Sequence, residues 1–241
     1  MVKRQSSKLQ SSVRFRYSAP LFLILFFMCT IVGAQSYVLY DIQSQKIIEA
    51  SNQDDIHPVA SLTKLVTAMV CIDANSCNES LLERLLVRSD NKVAEEIASK
   101  YKGGRTAFIK EMNRKVRSFG LDKTNFLDPS GLSVFNVSTA REYITVVVES
   151  EKYRIISSIS SKTTIKKKKV TLYNTNIVLM NEVVGIILSK TGFTSHAGRC
   201  LALVVQTADD WTLRKYGIVI LGEESPEKRV KLAKRLISKT S

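Results

Sequence analysis

Hydrophobic and polar positions fall into blocks along this chain, and the period of the pattern differs between the ends and the middle. Tyr37-Val38-Leu39-Tyr40 and Lys46-Ile47-Ile48, separated by Asp41 to Gln45, predict a β-hairpin. After a polar loop and Pro58, the positions Leu62, Leu65, Val66, Met69 and Val70 recur at helical spacing within Ser61–Asp73, which predicts a largely buried helix. Asn75 to Asn78 break it. Asn78 can cap a second helix carrying Leu81, Leu82, Leu85 and Leu86, which stops at Ser89-Asp90-Asn91. Val93 to Tyr101 read as helix again. Gly103-Gly104 then introduce an amphipathic helix with Phe108, Ile109, Met112, Val116 and Phe119 on one face and Gly120 as its stop. A loop through Asp128-Pro129-Ser130-Gly131 follows, and Ser138 or Thr139 can cap a further helix to about Glu149.

From Val183 the period shortens to that of strands. Val184–Ser189, Cys200–Thr207 and Tyr216–Leu221 are β-rich runs separated by turn or charged segments, the pattern of an antiparallel meander. Pro226 opens a terminal helix with Val230, Leu232, Ala233, Leu236 and Ile237. Strands at both ends enclosing a helical middle make an α+β fold, in which the N-terminal hairpin can join the C-terminal strands in one antiparallel sheet.

The first residues read as an address rather than as fold. Residues 1–17 hold Lys3, Arg4, Lys8, Arg14 and Arg16 with no acid, and Leu21 to Ala34 is a nearly unbroken apolar run of 14 residues ending Val32-Gly33-Ala34. A basic head, a short apolar stretch and small residues before Gln35 predict a secretory signal over 1–34 cleaved after Ala34, or an uncleaved anchor; about 20 apolar residues are needed to cross a bilayer. Residues 35–241 are then a single domain, exported to the periplasm, touching a membrane only through 1–34.

Composition narrows the classes. The 241 residues are 44% hydrophobic and 24% charged, proportions of a globular chain with a sizeable core. Only His57 and His196 are histidines, too few for a protein-only zinc hydrolase, so no metal is expected. The net charge of +14 falls to +9 without the five basic residues of 1–34, and predicts a polyanionic neighbour such as cell wall, membrane or nucleic acid. Export and the lack of a nucleic-acid-binding motif exclude the last. In an oxidising compartment Cys71 and Cys77 can pair; alternatively Cys71 and Cys200 are small buried apolar residues. Lys166 to Lys169 form a basic turn, either solvated or in contact with anionic wall polymer.

Three short motifs carry candidate chemistry. Ser61-Leu62-Thr63-Lys64 puts a hydroxyl at a helix start and an amine one turn on, where a desolvated Lys64 can take the Ser61 proton. Ser with Lys three residues on also occurs at Ser89/Lys92, Ser99/Lys102 and Ser225/Lys228, so this pattern alone also fits a plain helix cap. Ser89-Asp90-Asn91 alone is a turn. Lys190-Thr191-Gly192 alone is a strand end whose Lys and Thr suit a carboxylate and whose Gly admits a backbone. In this order, S-x-x-K, S-x-N and K-T-G form the signature set of penicillin-binding proteins and class A β-lactamases.

With Pro58-Val59-Ala60-Ser61-Leu62-Thr63-Lys64-Leu65, Gly103-Gly104 through Lys110, Gly131-Leu132-Ser133 through Arg141, and Lys190-Thr191-Gly192-Phe193-Thr194, the chain resembles low-molecular-weight penicillin-binding proteins of the D-alanyl-D-alanine endopeptidase type over most of 37–207. That resemblance implies a DD-peptidase/β-lactamase-like fold and cleavage of peptidoglycan cross-links through an acyl-enzyme on Ser61. Lys64 would be the base, and Ser89 would relay a proton to the leaving amine. Asn91 would position substrate, and Lys190, Thr191 and Gly192 would hold the substrate's end. The backbone N–H groups of Ser61 and Phe193 would form the oxyanion hole. No cofactor is implied; peptidoglycan stems would be substrate and β-lactams covalent inhibitors. D-alanyl-D-alanine carboxypeptidase action, or a weakly active wall-binding module, are the alternatives. A β-lactamase is disfavoured because no Glu-x-x-x-Asn element is present to activate a deacylating water. One departure stands out: 25 positions separate Lys64 from Ser89, where the family carries a much longer excursion.

Overall fold

The computed structural model describes residues 35–240 except 168, 184, 210 and 211, so the expected signal over 1–34 lies outside the described residues. The chain opens with the hairpin β1 (Ser36–Asp41) and β2 (Lys46–Ser51), followed by the short strand β3 (His57–Pro58). A 3₁₀ turn, Ala60–Thr63, feeds the helix α1 (Lys64–Asp73), whose residues are buried from Lys64 through Cys71. Next come α2 (Glu79–Leu86), α3 (Asn91–Lys100), α4 (Gly104–Ser118), β4 (Val137–Ser138), α5 (Ala140–Glu151) and α6 (Arg154–Ser160). A second hairpin, β5 (Thr164–Lys167) and β6 (Val170–Tyr173), and the short helix α7 (Ile177–Glu182) precede three long strands, β7 (Ile186–Thr194), β8 (Gly198–Asp209) and β9 (Thr212–Glu223). The helix α8 (Pro226–Ile237) ends the fold.

The main sheet is antiparallel with order β2-β1-β9-β8-β7, so the N-terminal hairpin joins the C-terminal meander as its pattern predicts. Side-chain alternation then separates two cores. Leu201, Leu203, Ile218 and Ile220 face α8, where they meet Leu232, Ala233 and Leu236. Ala202, Val204, Val219 and Leu221 face the other way, onto α1, α3, α4 and α5. With both faces covered, the strands are nearly continuously apolar. The strand β7 is the open edge on one side of the sheet.

Several local signals act as read. Asn78 accepts from the Leu81 N–H at 3.0 Å, and Thr139, not Ser138, caps α5 by accepting from Glu142. Cys71 and Cys77 are disulfide-bonded, while Cys200 is free and buried. Lys166, Lys167 and Lys169 are exposed on the β5–β6 hairpin, which suits a solvated turn and contact with anionic polymer alike.

Three expectations need correction. Ser61 lies in the 3₁₀ turn, and α1 begins at Lys64 rather than Ser61. Strand β7 does not stop at Ser189: the ladder carries Lys190, Thr191 and Gly192 on to Thr194, because Thr191, Gly192 and Phe193 still find partners in Leu201, Cys200 and Arg199. Helices α6 and α7 were not expected, since runs such as Arg154-Ile-Ile-Ser-Ser are poor helix formers. Burial of Ile156, Ile159 and Leu179 overrides that propensity. Among the described residues no helix is long and apolar enough to cross a membrane.

Candidate active site

The cleft is built where the start of α1, the start of α3 and the edge strand β7 converge. In a 3₁₀ turn, residues three apart eclipse one another, so the turn at Ala60–Thr63 stacks the Lys64 amine beside the Ser61 hydroxyl. Lys64 Nζ lies 2.9 Å from Ser61 Oγ, 2.7 Å from Asn91 Oδ1 and 2.5 Å from the Ser130 carbonyl. Its side chain is fully buried. Burial lowers its pKa to about 7, against the opposing pull of Asp128 and Asp90. A neutral amine has two N–H groups and one lone pair. Asn91 and the Ser130 carbonyl can take the two donors, which leaves the lone pair for Ser61.

The second lysine is organised in the same manner. Lys190 is buried in β7 and donates to Ser89 Oγ at 3.0 Å and to the Thr191 carbonyl at 2.8 Å. Burial, then the neighbouring Lys64 and Arg229, push its pKa well below that of a free lysine. Thr191 donates to the Thr175 hydroxyl at 2.6 Å, which fixes its side chain on the face of β7 opposite to Lys190. Ser89 is thus joined to Lys190, whereas Asn91 is joined to Lys64.

Two residues of this arrangement hold left-handed backbone without being glycine: Ala60 at φ +46°, just before Ser61, and Ser89 at φ +57°. Such conformations cost about 1–3 kcal/mol and persist where neighbours fix them. Asp90 does so for Ser89. Its Oδ1 accepts from the Lys92 and Val93 N–H groups at the start of α3, and its Oδ2 receives Arg84 at 2.6 Å.

The loop before β4 supports the Ser61 side. Asp128 Oδ1 accepts from the Ser130 N–H, the Ser130 hydroxyl and the Gly131 N–H at 2.6–2.8 Å, and Oδ2 accepts from the Ser133 N–H at 2.6 Å. Burial would raise this carboxyl, but those donors hold it below the usual carboxylate range. Asn136 ties the loop to the 3₁₀ turn through Thr63 Oγ1 at 3.1 Å. Gly131, at φ +86°, lies so close to Ala60 that a Cβ there would sit 1.9 Å from the Ala60 carbonyl oxygen. Gly192 approaches from the other side, with an added Cβ only 3.1 Å from the Ser61 nitrogen. Glycine is required at Gly131, where two backbones touch and φ is positive, while at Gly192 a side chain would be tight and would press on the turn.

Ser61, Ser89, Thr191, Gly192 and Phe193 all line one cavity of about 780 Å³. One residue or more of each motif therefore reaches a single solvent-accessible volume, and the two lysines of lowered pKa stand behind its wall, Lys64 bonded to Ser61 and Lys190 to Ser89. A hydroxyl beside a neutral amine, in a cleft with backbone N–H groups at a turn, is equipped for acyl transfer. Reasoning from sequence did not single out Thr175, Arg199 or Arg229, which also line the cavity. Each stands outside the three motifs: Arg199 reaches the cleft through the β7–β8 ladder, Arg229 through α8, which packs on β8 and β9, and Thr175 through its bond with Thr191.

Against known proteins, the chain matches the family model described as D-alanyl-D-alanine carboxypeptidase over residues 29–79 and 76–223. The two segments meet in the loop that holds Cys77. The chain is 34% identical to the D-alanyl-D-alanine endopeptidase of Escherichia coli (strain K12) over 207 aligned positions, covering 71% of this chain and 67% of the relative. Those 207 positions exceed what 71% of 241 residues supplies, so part of the relative has no counterpart here. The D-alanyl-D-alanine endopeptidase of Pseudomonas aeruginosa is 33% identical over the same coverage. Among solved structures, the Streptomyces K15 DD-transpeptidase superposes with a TM-score of 0.78 at 19% identity, over 84% of this chain and 94% of that one. Penicillin-binding protein D2 of Listeria monocytogenes in its cefotaxime-bound form gives 0.76 at 23% identity, over 84% and 95%.

Proposed function

Since the chain belongs to the D-alanyl-D-alanine carboxypeptidase family, and is a serine DD-peptidase of the low-molecular-weight penicillin-binding type, we propose that it cuts D-alanyl peptide cross-links of peptidoglycan through an acyl-enzyme on Ser61. The observation that carries the assignment is the buried Lys64 amine, lowered to about pKa 7 and 2.9 Å from the Ser61 hydroxyl. Near neutral pH a large fraction of that amine is unprotonated, the state a general base requires.

In this reading Lys64 takes the Ser61 proton as Oγ attacks the D-alanine carbonyl carbon. The tetrahedral oxyanion faces the backbone N–H groups of Ser61 and Phe193. Ser89 relays the proton to the leaving amine. Its oxygen already accepts from Lys190, so its own hydrogen is free to point into the cleft. Thr191, next to Lys190 in the strand, receives the carboxylate beside the scissile bond, and Gly192 lets the substrate backbone lie along the edge strand. Asn91 holds Lys64 in register and meets the substrate. Collapse of the intermediate breaks the C–N bond, and water then releases the acyl group with Lys64 again as base. β-Lactams would acylate Ser61 by the same first step.

The relatives at 33–34% identity carry the endopeptidase name, which supports cross-links over the terminal D-alanine of a pentapeptide as the preferred target. Carboxypeptidase action would employ the same residues. The short Lys64–Ser89 connection leaves both serines in the cleft wall, an arrangement that opposes an inert wall-binding module. We further propose export through residues 1–34 and work in the periplasm, a location that suits the Cys71–Cys77 disulfide. The test is mass spectrometry of muropeptides after incubating residues 35–241 with a cross-linked dimer and a free pentapeptide. Dimer should fall to monomers with the wild type and persist with Ser61→Ala; equal cleavage by both proteins would contradict the proposal.

A further inference from the structure

The cleft extends beyond the residues assigned to the reaction, across the face of β7 that turns toward α8. Strand alternation puts Thr191 and Phe193 on that face. Arg199 pairs with Phe193 across the β7–β8 ladder and shares the face with it. The Arg199 guanidinium carbon lies 3.5 Å from the centre of the Phe193 ring, a stacked contact that fixes the plane of the fork. Both residues line the same cavity as Ser61 and Ser89.

This end of the cavity holds more positive charge than its own acids neutralise. Arg229, on the first turn of α8, is 8% exposed, and its pKa is lowered by burial and then by Arg199. The Nε atoms of Arg199 and Arg229 are both buried without a hydrogen-bond partner among the described residues. Two carboxylates also reach this wall. Glu182 is engaged by Lys234, and Glu227 is held low by the Ser225 hydroxyl and its own backbone N–H before Arg199 contributes. Two neighbouring arginines, each with a buried Nε that has no hydrogen-bond partner, are an arrangement suited to an incoming anion.

The two candidate substrates differ at this end. A free pentapeptide stops at the carboxylate next to the scissile bond, the group assigned to Thr191. A cross-linked dimer continues there into a second stem peptide with further carboxylates. We infer that Arg199, stacked on Phe193, binds a carboxylate of the stem that departs with the amine, and so sets a preference for cross-linked over uncross-linked substrate. The inference rests on the proposed acyl-enzyme at Ser61 and adds a specificity-determining residue to it. Arg199 acts on substrate binding on the leaving side and takes no part in the bond-breaking step.

The experiment compares Arg199→Gln, Arg199→Lys and wild type on a cross-linked dimer and on a free pentapeptide, with labelled penicillin as a separate report on Ser61. For Arg199→Gln, kcat/KM on the dimer should fall about tenfold, chiefly through KM, the size of effect expected for one charge-assisted contact. Pentapeptide cleavage and penicillin acylation should change less than twofold. Arg199→Lys should recover only part of the loss, since it keeps charge without the planar fork. A dimer whose leaving-stem carboxylates are amidated should show the same fall with wild type and no additional fall with Arg199→Gln. Equal losses on dimer and pentapeptide, an unchanged dimer rate, or an amidation effect that persists in full in Arg199→Gln would each overturn the inference. A wild type that fails to react with penicillin would instead overturn the Ser61 reading, and this inference with it.

Discussion

Lys190 donates to the Ser89 hydroxyl at 3.0 Å across 101 positions of chain, and so joins the open edge of the sheet to the start of a helix on the opposite wall of the cleft. Lys64 makes the matching bond to Asn91 at 2.7 Å. Each lysine thus holds one residue of the Ser89–Asn91 turn, and the turn is set from both sides. This placement survives a spacing of only 25 positions from Lys64 to Ser89. The Cys71–Cys77 bond spans the end of α1 and the loop before α2, the stretch in which the chain is short.

Removing that bond should cost stability rather than chemistry. Replacing Cys71 and Cys77 by Ala and Ser closes no loop in the unfolded chain, and for a loop this small the loss is about 2 kcal/mol. Thermal unfolding of the double variant should shift down by several degrees, reproduced in wild type by reductant. Penicillin acylation well below the melting temperature should be unchanged. An altered acylation rate in the folded variant would show that the bond also positions Ser89.

The pH dependence of acylation should follow Lys64. Burial places its amine at about 7, and the base must be unprotonated, so the rate of penicillin acylation should rise as pH increases through about 7. A rate already flat between pH 6 and 8, or one that falls over that range, would remove Lys64 as the base.

Gly131→Ala tests the close approach behind the nucleophile. An added Cβ would lie 1.9 Å from the Ala60 carbonyl oxygen and would also demand φ near +86° of an L residue. Relief requires the Asp128 loop to move away from the 3₁₀ turn. Acylation should fall at least tenfold, with stability reduced by about 2–3 kcal/mol. Wild-type acylation in this variant would mean that the loop does not set Ser61.

Glu49 joins the outermost strand to α8. It accepts from Tyr37 at 2.8 Å and Arg235 at 2.7 Å, and also pairs with Lys239. The bonds from Lys239, Arg235 and Tyr37 lower its pKa to about 2 from 4.5. A carboxyl lowered on folding stabilises the fold above the higher value, and that contribution disappears as pH falls through the lower one. For a partly exposed network, Glu49→Gln should cost about 1 kcal/mol at pH 7 in chemical denaturation, narrowing to nothing near pH 2. A constant difference over that range would show that its charge is not what stabilises the fold.

Much of this fold is legible from periodicity because the helices and strands each bury a continuous face. The α4 positions Phe108, Met112 and Val116 are spaced for one side and are all buried. Strands β8 and β9 read clearly as strands because both of their faces are covered. What stayed hidden was decided by packing between distant segments. Isoleucines and serines form α6 only because Ile156 and Ile159 find a core, and the ladder past Lys190 depends on β8. The same holds for the site. Ser61, Lys64, Ser89, Asn91, Lys190 and Thr191 sit in short motifs of recognisable order. Arg199 and Arg229 carry no local signal; pairing of β8 with β7 brings the first to the cleft, and packing of α8 on β8 and β9 brings the second.

In the proposed reaction Ser61 is the nucleophile and Lys64 activates it, and the most direct measurement is peptide mapping by mass spectrometry after reaction with a labelled penicillin. One adduct per chain should appear, on the peptide containing Ser61. It should be absent in Ser61→Ala and form at least a hundredfold more slowly in Lys64→Gln, the scale of a lost general base. An adduct on any other residue, or acylation of Ser61→Ala at the wild-type rate, would contradict it.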